Sequence, residues 1–221
     1  MDEQPKIAIP SMVVGDAKKF RPGRGTFEKN GKIYSTRLGL ISKQANFINI
    51  IPLSGVYDPV PGDTIIGVIE DISPTNWLVD INAPYPAILH VNEVPWHVEL
   101  GETSKYLKYA DAILAKILLV DETKKILLTM RERGLHKLNG GQIIKIQPIK
   151  VPRVIGKKGT MISLIKKYTG CRIIVGQNGR IWIDGNTKGV EKATRAIRKI
   201  EAEAHTKGLT VRIEKLLKSR S

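Results

Sequence analysis

The chain holds one cysteine, Cys171, in 221 residues. A lone thiol forms no internal disulfide, which excludes the disulfide-stapled secreted domains and fits a reducing, cytoplasmic setting. No run approaches the roughly 18 consecutive apolar residues of a membrane span. The opening "MDEQPKIAIP" carries acids early and lacks an apolar core, so it does not read as a secretory signal. Histidines are few and scattered, at His90, His97, His136 and His205, and none stands at metal-ligand spacing from a cysteine or a second histidine. Glu70 and Asp71 are adjacent in an expected strand, where alternation sends neighbours to opposite faces. Asp80, in "VDI", reads as a strand residue with a structural or turn-facing role. Neither a catalytic group, a metal site nor a cofactor is therefore expected.

Positive charge is abundant. Lys and Arg number 36 against 21 Asp and Glu, a formal net charge of +15. Such an excess implies a polyanionic partner. With no membrane segment and a reducing setting, nucleic acid fits better than lipid. Hydrophobic residues make up 42% of the chain, enough for packed cores, and the length allows up to three small domains.

Three blocks differ in texture. Residues 1–57 are dense in turn signals, with short β-like runs "KIYSTRLGLI" and "NFINIIPL" between them. Asn30-Gly31 in "EKNGKI" predicts a tight two-residue hairpin. Residues 58–138 contain five short strands and no long helical period, the pattern of a small closed barrel. Its last hairpin has arms Ala112 to Val120 and Ile126 to Met130. A Gly-Asp pair at Gly15-Asp16 and again at Gly62-Asp63 suggests a repeated strand start in these two blocks. Residues 139–221 change pattern. "QIIKIQPIKV" reads as a strand, and a short helix and a glycine loop follow. Met161, Ile162, Ile165 and Tyr168 then recur at helical spacing, ended by Thr169-Gly170. "CRIIV" and "RIWID" are strands joined by the turn "GQNG". Val190, Ala193, Ile197 and Ile200 mark one face of a helix from Thr187 to His205.

The glycine loop is the most informative stretch: "VIGKKGTMISLIKKYTG", starting at Val154. Glycines before a helix let backbone N–H groups and the helix N-terminus meet phosphate. A nucleotide P-loop needs Gly-x-x-x-x-Gly-Lys and then Ser or Thr, and a dinucleotide fingerprint needs Gly-x-Gly-x-x-Gly; the spacing here matches neither. What remains is Gly-x-x-Gly between two helices, with Lys157 and Lys158 supplying charge.

This loop and its flanking elements resemble a KH domain, whose loop clamps about four nucleotides. The resemblance makes Ile155, Gly156, Lys157, Lys158 and Gly159 the RNA contacts. Ile155, Ile162, Ile173 and Ile174 fit either core or groove floor. In the second block, "GDTIIGVIEDI", "LVDI", "AILHVNE" and "AKILLVDETKKILLTM" resemble the S-one domain, an RNA-binding OB-fold. That resemblance points to His90, Lys116 and Arg131 as contacts for single-stranded RNA. The strand-two position where the family carries a stacking aromatic is Leu78 here. Trp77 falls on the opposite face, where it is expected to pack against a neighbouring domain.

The order of β domain, S-one barrel and KH domain is similar to the RNA-binding cap subunits of the archaeal exosome, of the Rrp-four type. "VVGD" from Val13, "GRGT" from Gly23, "NGKIYSTRLGLI" and "IIPLSGVYDPVPGD" carry the likeness through the first block. The resemblance implies a non-catalytic subunit, present in three copies on a hexameric RNase PH-like ring. It would recruit RNA and guide its 3′ end to phosphorolysis, with the first block docking on the ring. A free-standing KH and OB-fold RNA-binding protein of translation or transcription is the alternative. Polynucleotide phosphorylase carries both modules in the opposite order, after catalytic domains that this chain lacks.

If phosphate contacts dominate, affinity for single-stranded RNA should fall steeply with salt, with a log–log slope of about −0.7 per neutralised phosphate. A flat salt titration would count against a charge-driven RNA binder.

Overall fold

The computed structural model describes residues 6–218 apart from 54, 100, 205 and 207. The chain forms two compact units, Met1–Gly55 and Val56–Ser221. It is β-rich, with an N-terminal β region, a closed five-stranded OB-type barrel and a C-terminal KH domain.

The first unit contains β1 (Ile7–Ala8), β2 (Val13–Asp16), β3 (Arg21–Pro22), β4 (Thr26–Lys29), β5 (Lys32–Ser35), β6 (Gly39–Gln44) and β7 (Phe47–Pro52). They form two sheets, ordered β1-β6-β7-β3 and β2-β5-β4. Asn30 and Gly31 connect β4 and β5 with φ of 52° and 73°. Positive φ at both positions is what a primed hairpin turn requires. Ala8, Ile33, Ile48 and Ile50 form the buried interior. "KIYSTRLGLI" is two strands, not one, broken where the Ser35 hydroxyl donates to the Arg37 carbonyl at 2.6 Å. The two Gly-Asp pairs are not equivalent either. Gly62 sits in a turn before a strand with φ of 92°. Gly15 lies inside β2, where a Cβ would come within 2.2 Å of Ile48 Cδ1.

The barrel comprises β8 (Thr64–Ile72), β9 (Asn76–Asp80), β10 (Ala87–His90), β11 (Ala112–Val120) and β12 (Ile126–Thr129). The order is β12-β10-β9-β8-β11, and β11 pairs back to β12 to close it. Inward positions alternate as a pleated strand requires: Ile65 and Ile69, Trp77 and Val79, Ile113, Ala115 and Ile117. Trp77 is fully buried in this interior and its indole N–H donates to the Leu107 carbonyl at 3.3 Å. It thus fills its own barrel, and does not pack on a neighbouring domain as its sequence position suggested. The partner follows a short helix, α1 (Thr103–Tyr106), and Leu107 is itself fully buried in the barrel core. Glu70 and Asp71 are both exposed, because a bulge between Ile69 and Asp71 interrupts the alternation.

From the barrel, β13 (His136–Leu138) pairs with β11 and leads into β14 (Gln142–Lys145). The KH domain continues with α2 (Val151–Ile155), α3 (Thr160–Thr169), β15 (Arg172–Val175), β16 (Arg180–Asp184), α4 (Thr187–Ala202) and α5 (Leu209–Lys218), on a sheet ordered β14-β16-β15. The expected strand from Gln142 to Val151 stops at Lys145. Pro148 has no N–H for a ladder and opens a single 3₁₀ turn that feeds α2. α4 is capped by Asn186, whose side chain accepts the Gly189 N–H at 2.6 Å. It ends at Ala202 with Glu203 as its C-cap, short of the expected end at His205, a residue that lies outside the described ones. A further helix, α5, closes the domain: Leu209, Ile213 and Leu217 stand at i, i+4 and i+8 and are buried in the KH core.

The turn "GQNG", read in the sequence only as a hairpin, joins KH domain to barrel. Asn178 is fully buried. Its amide donates to the carbonyls of Ile66 and Ile81, each at 2.8 Å, and its oxygen accepts the Ile66 N–H at 3.3 Å. Gln177 N–H donates to the Thr64 carbonyl at 2.9 Å. Arg180, 1% exposed, forms an ion pair with Asp80 and donates to the backbone carbonyls of Asp80 and Ile66. Trp182, Ile66, Leu114 and Leu138 form an apolar cluster alongside. Burial by itself pushes the Asp80 carboxyl up. The Asn82 N–H and the hydrogen bond and charge of Arg180 outweigh it and hold the group below its ordinary range.

Asp80→Ala should therefore destabilise the second unit. A fully buried pair loses about 3–5 kcal/mol when one partner is removed. Asp80 keeps 43% of its side-chain surface exposed, so roughly 2 kcal/mol is expected, read as a lower urea midpoint. Acid should act through the same group. Its contribution is complete above the ordinary carboxylate pKa and fades as pH falls through the lowered one. The Asp80→Ala variant should lose less stability on acidification than the parent. Equal midpoints for the two chains would show that the ion pair contributes nothing.

Candidate nucleic-acid interface

The KH loop is built from backbone first. α2 ends at Ile155, and Gly156 N–H donates back to the Pro152 carbonyl at 2.9 Å. Gly156 then takes φ 75°, ψ 170°. A Cβ there would come within 2.7 Å of both the Met161 Cβ and the Met161 nitrogen, so glycine is demanded by close approach as well as by φ. Lys157 to Gly159 make one tight turn, closed by Gly159 N–H to the Gly156 carbonyl at 3.1 Å. Lys158 is left-handed at φ 52°, and Gly159 follows at φ 77°. α3 starts at once, and its N-cap residue, Gly159, has no side chain to cap the first N–H groups. Those open donors, with the positive end of a ten-residue helix, suit an anion.

Lys157 and Lys158 are both exposed, and neither has an ion-pair partner among the described residues. Ile155 and Ile162 are half-buried at the margin of the KH core beside the loop. They can offer an apolar strip to a base while the loop meets phosphates. The four isoleucines singled out in the sequence divide. Ile173 is in the KH core, and Ile174 lies on the other side of the sheet, against the barrel cluster. Arg153 and Thr160 flank the loop and are exposed, and sequence reading passed over both. Arg153 stands three residues before Gly156, close enough in "PRVIGKKG" to have been a signal.

On the barrel, the structure gathers His90, Lys116 and Arg131 around the end of β12. Lys116 pairs in register with Thr129, β10 lies parallel to β12 and ends at His90, and Arg131 follows two residues after Thr129. Their states differ. His90 Nδ1 accepts the Asn92 N–H at 3.1 Å, so the neutral ring keeps its proton on Nε2. The Lys116 ammonium is held by both Glu132 oxygens, at 2.6 and 2.9 Å. The Arg131 side chain is exposed and lines a cavity of about 300 Å³ with Asn92, Trp96 and His97. Leu78 stands in a cross-strand row with Ile88, which pairs in turn with Leu127. That row is aliphatic, so it offers apolar contact and no ring to stack on. Among the described residues no group of three His, Cys, Asp or Glu side chains could hold a metal ion, and no helix is long and apolar enough to cross a membrane.

Comparison with known proteins agrees with this layout. A family described as "Exosome complex exonuclease RRP4 N-terminal region" matches residues 7–44, and a KH domain family matches residues 141–189. Exosome complex component Rrp4 of Methanosarcina mazei is 48% identical over 214 residues, covering 97% of this chain and 82% of that protein. The Rrp4 protein of Thermoplasma volcanium is 46% identical over 215 residues, covering 96% and 90%. A crystal structure of a protein assigned to the exosome complex as RNA-binding superposes with a TM-score of 0.67 at 40% identity. It covers 74% of this chain and 95% of that one.

Replacing Lys157 and Lys158 by Asp should weaken binding of single-stranded RNA and make its salt slope shallower by about 1.4, for two phosphates at about 0.7 each. Stability should stay within about 0.5 kcal/mol, since both side chains are exposed. Undiminished RNA affinity in the double variant would move the binding site away from this loop.

Proposed function

Because the chain belongs to the Rrp4 family of exosome complex components, we propose that it is a non-catalytic RNA-binding cap subunit of that complex, working in the cytoplasm. The observation that carries the reading is the Gly156–Gly159 corner at the uncapped start of α3, joined to an OB-type barrel by the buried Asn178 and Arg180 contacts. Two single-strand-binding modules held in one unit suit capture of an extended polymer. In this reading three copies sit on a hexameric RNase PH-like ring. The first unit docks on the ring, while barrel and KH domain guide the RNA 3′ end to the phosphorolytic sites. Catalysis belongs to the ring. The word exonuclease in the N-terminal family's description then refers to the complex, not to chemistry on this chain.

Recruitment has a physical consequence. A second binding site raises the local concentration of substrate at the pore. It changes the rate only where the ring is not already saturated. The alternative, a free-standing RNA binder, makes no ring contact, and co-elution with an RNase PH-like ring on a sizing column separates the two.

The purified chain should bind RNA and leave it intact, with or without divalent metal and phosphate. Added to an RNase PH-like ring, it should speed degradation most at limiting RNA and least at saturation. RNA cleavage by the isolated chain, lost on changing one of its own carboxylates, would overturn the assignment. Equal ring activity with and without it at limiting RNA would remove the recruiting role.

A further inference from the structure

The first unit has a face that the reading above leaves unused. In the β2-β5-β4 sheet, Ile33 and Ser35 of β5 point to the interior and are fully buried. Lys32 and Tyr34 therefore lie on the outer face. Tyr34 pairs in register with Phe27 of β4 and with Val13 of β2. The Phe27 and Tyr34 rings stack with centroids 5.4 Å apart and planes at 21°. Phe27 is 41% exposed and Val13 46%. The stacked pair, Phe27 exposed and Tyr34 half-buried, thus meets solvent beside an exposed valine.

One row further along, Lys29 pairs directly with Lys32. Like charges facing each other across strands oppose pairing. Neither ammonium has a carboxylate partner among the described residues. Asp16 stands in register with Lys32, but its carboxylate accepts the Lys18 N–H at 2.9 Å. Glu28 pairs with Ile33 and so belongs to the opposite face. The Ala17 N–H donates to the Gly31 carbonyl at 3.0 Å, which brings the turn bearing Lys18 and Lys19 against the hairpin tip. Four lysines collect at one end of an aromatic row. Over residues 6–53, nine lysines and arginines face only two acids, Asp16 and Glu28.

We propose that this face is a further contact site for single-stranded RNA, with a base stacked on the Phe27–Tyr34 pair and phosphates at Lys29, Lys32 and the neighbouring Lys18–Lys19 turn. Charge selects the occupant. A purely apolar protein partner would leave the lysine pair buried and repelling, whereas a phosphate backbone neutralises it and releases counterions. Aromatic rings provide the sequence-tolerant stacking that single-strand binders use. The site rests on the proposed RNA-binding role but on none of the KH or barrel residues.

The test uses the full chain. Lys29→Glu sets an acid opposite Lys32 and turns a repelling cross-strand pair into an attracting one. Its melting temperature should match or exceed the parent's, while RNA affinity falls and the salt slope becomes shallower by at least about 0.7. Phe27→Ala should weaken binding at least about fivefold, the equivalent of the roughly 1 kcal/mol lower end of base stacking. Photocrosslinking with thiouridine-substituted single-stranded RNA should label the peptide from Phe27 to Tyr34. The Lys157→Asp, Lys158→Asp variant in the same titration reports separately on the KH loop, so either site can fail alone. Unchanged affinity and slope in both new variants would overturn the proposal. So would variants that keep RNA affinity but lose association with an RNase PH-like ring, which would make the face a protein-docking surface.

Discussion

The barrel and the KH domain act as one body because Asn178 and Arg180 are buried between them. Each enters a place where the barrel strands leave backbone groups without ladder partners. Asn178 answers Ile66 on both its N–H and its carbonyl and also reaches the carbonyl of Ile81. Arg180 answers the carbonyls of Asp80 and Ile66. A polar group left buried without a partner costs about 1–3 kcal/mol, so the two domains can bury this junction only with these hydrogen bonds in place. The apolar cluster of Ile66, Leu114, Leu138 and Trp182 adds burial, but it is the hydrogen bonding that sets the register. The arrangement is not fully satisfied: Arg180 Nε has no hydrogen-bond partner among the described residues. Glycines frame it for steric reasons. A Cβ on Gly176 would meet the Ile66 nitrogen at 2.8 Å, and one on Gly179 the Ile146 carbonyl at 2.4 Å.

The KH loop depends on this mounting. Its own geometry is local: three positive-φ residues, Gly156, Lys158 and Gly159, turn the chain from α2 into α3 within one turn of backbone. The direction in which the loop's donors point is set by packing. Val154, Met161 and Ile165 anchor α2 and α3 in the KH core, and β15 and β16 beneath them are held to the barrel. A chain of single-stranded nucleic acid that touches both modules then meets them at fixed separation, without an ordering cost for bringing them together.

Net charge does not translate into uniform attraction. Lys116 is engaged by Glu132, Arg172 by Asp184, Arg198 by Glu201, and both Lys199 and Arg212 by Glu203. Such pairs near solvent contribute little to stability, but they lower the local field a phosphate meets. Lys157 and Lys158 on the KH loop, and Lys29 and Lys32 on the first unit, are outside this set. Lys116, a contact expected from sequence position, is thus engaged by a carboxylate, whereas the two lysines on the exposed loop have none among the described residues. His90 is similarly partly committed, its Nδ1 to the Asn92 N–H.

Local rules made much of this protein legible from its residues. The Asn30-Gly31 hairpin, the arms of the β11–β12 hairpin, the helix start after Gly159 and its end at Gly170 all follow from glycine φ and from hydrophobic period, which neighbouring residues decide among themselves. The composition and the Gly-Lys-Lys-Gly stretch were enough to point to a polyanion. Long-range pairing was not legible. Nothing in "GQNG" says that its asparagine will bond residues 97 and 112 positions away, because a hydrogen bond across that separation exists only once both domains have folded. Trp77 could be placed on a face by alternation, but only barrel closure made that face the interior. The Phe27–Tyr34 stack and the opposed lysines depend on strand register. Sequence determined most of the strands, helices and turns and the sign of their charge; tertiary structure decided which charges stay unpaired and which turn joins two domains, because both depend on partners distant in the chain.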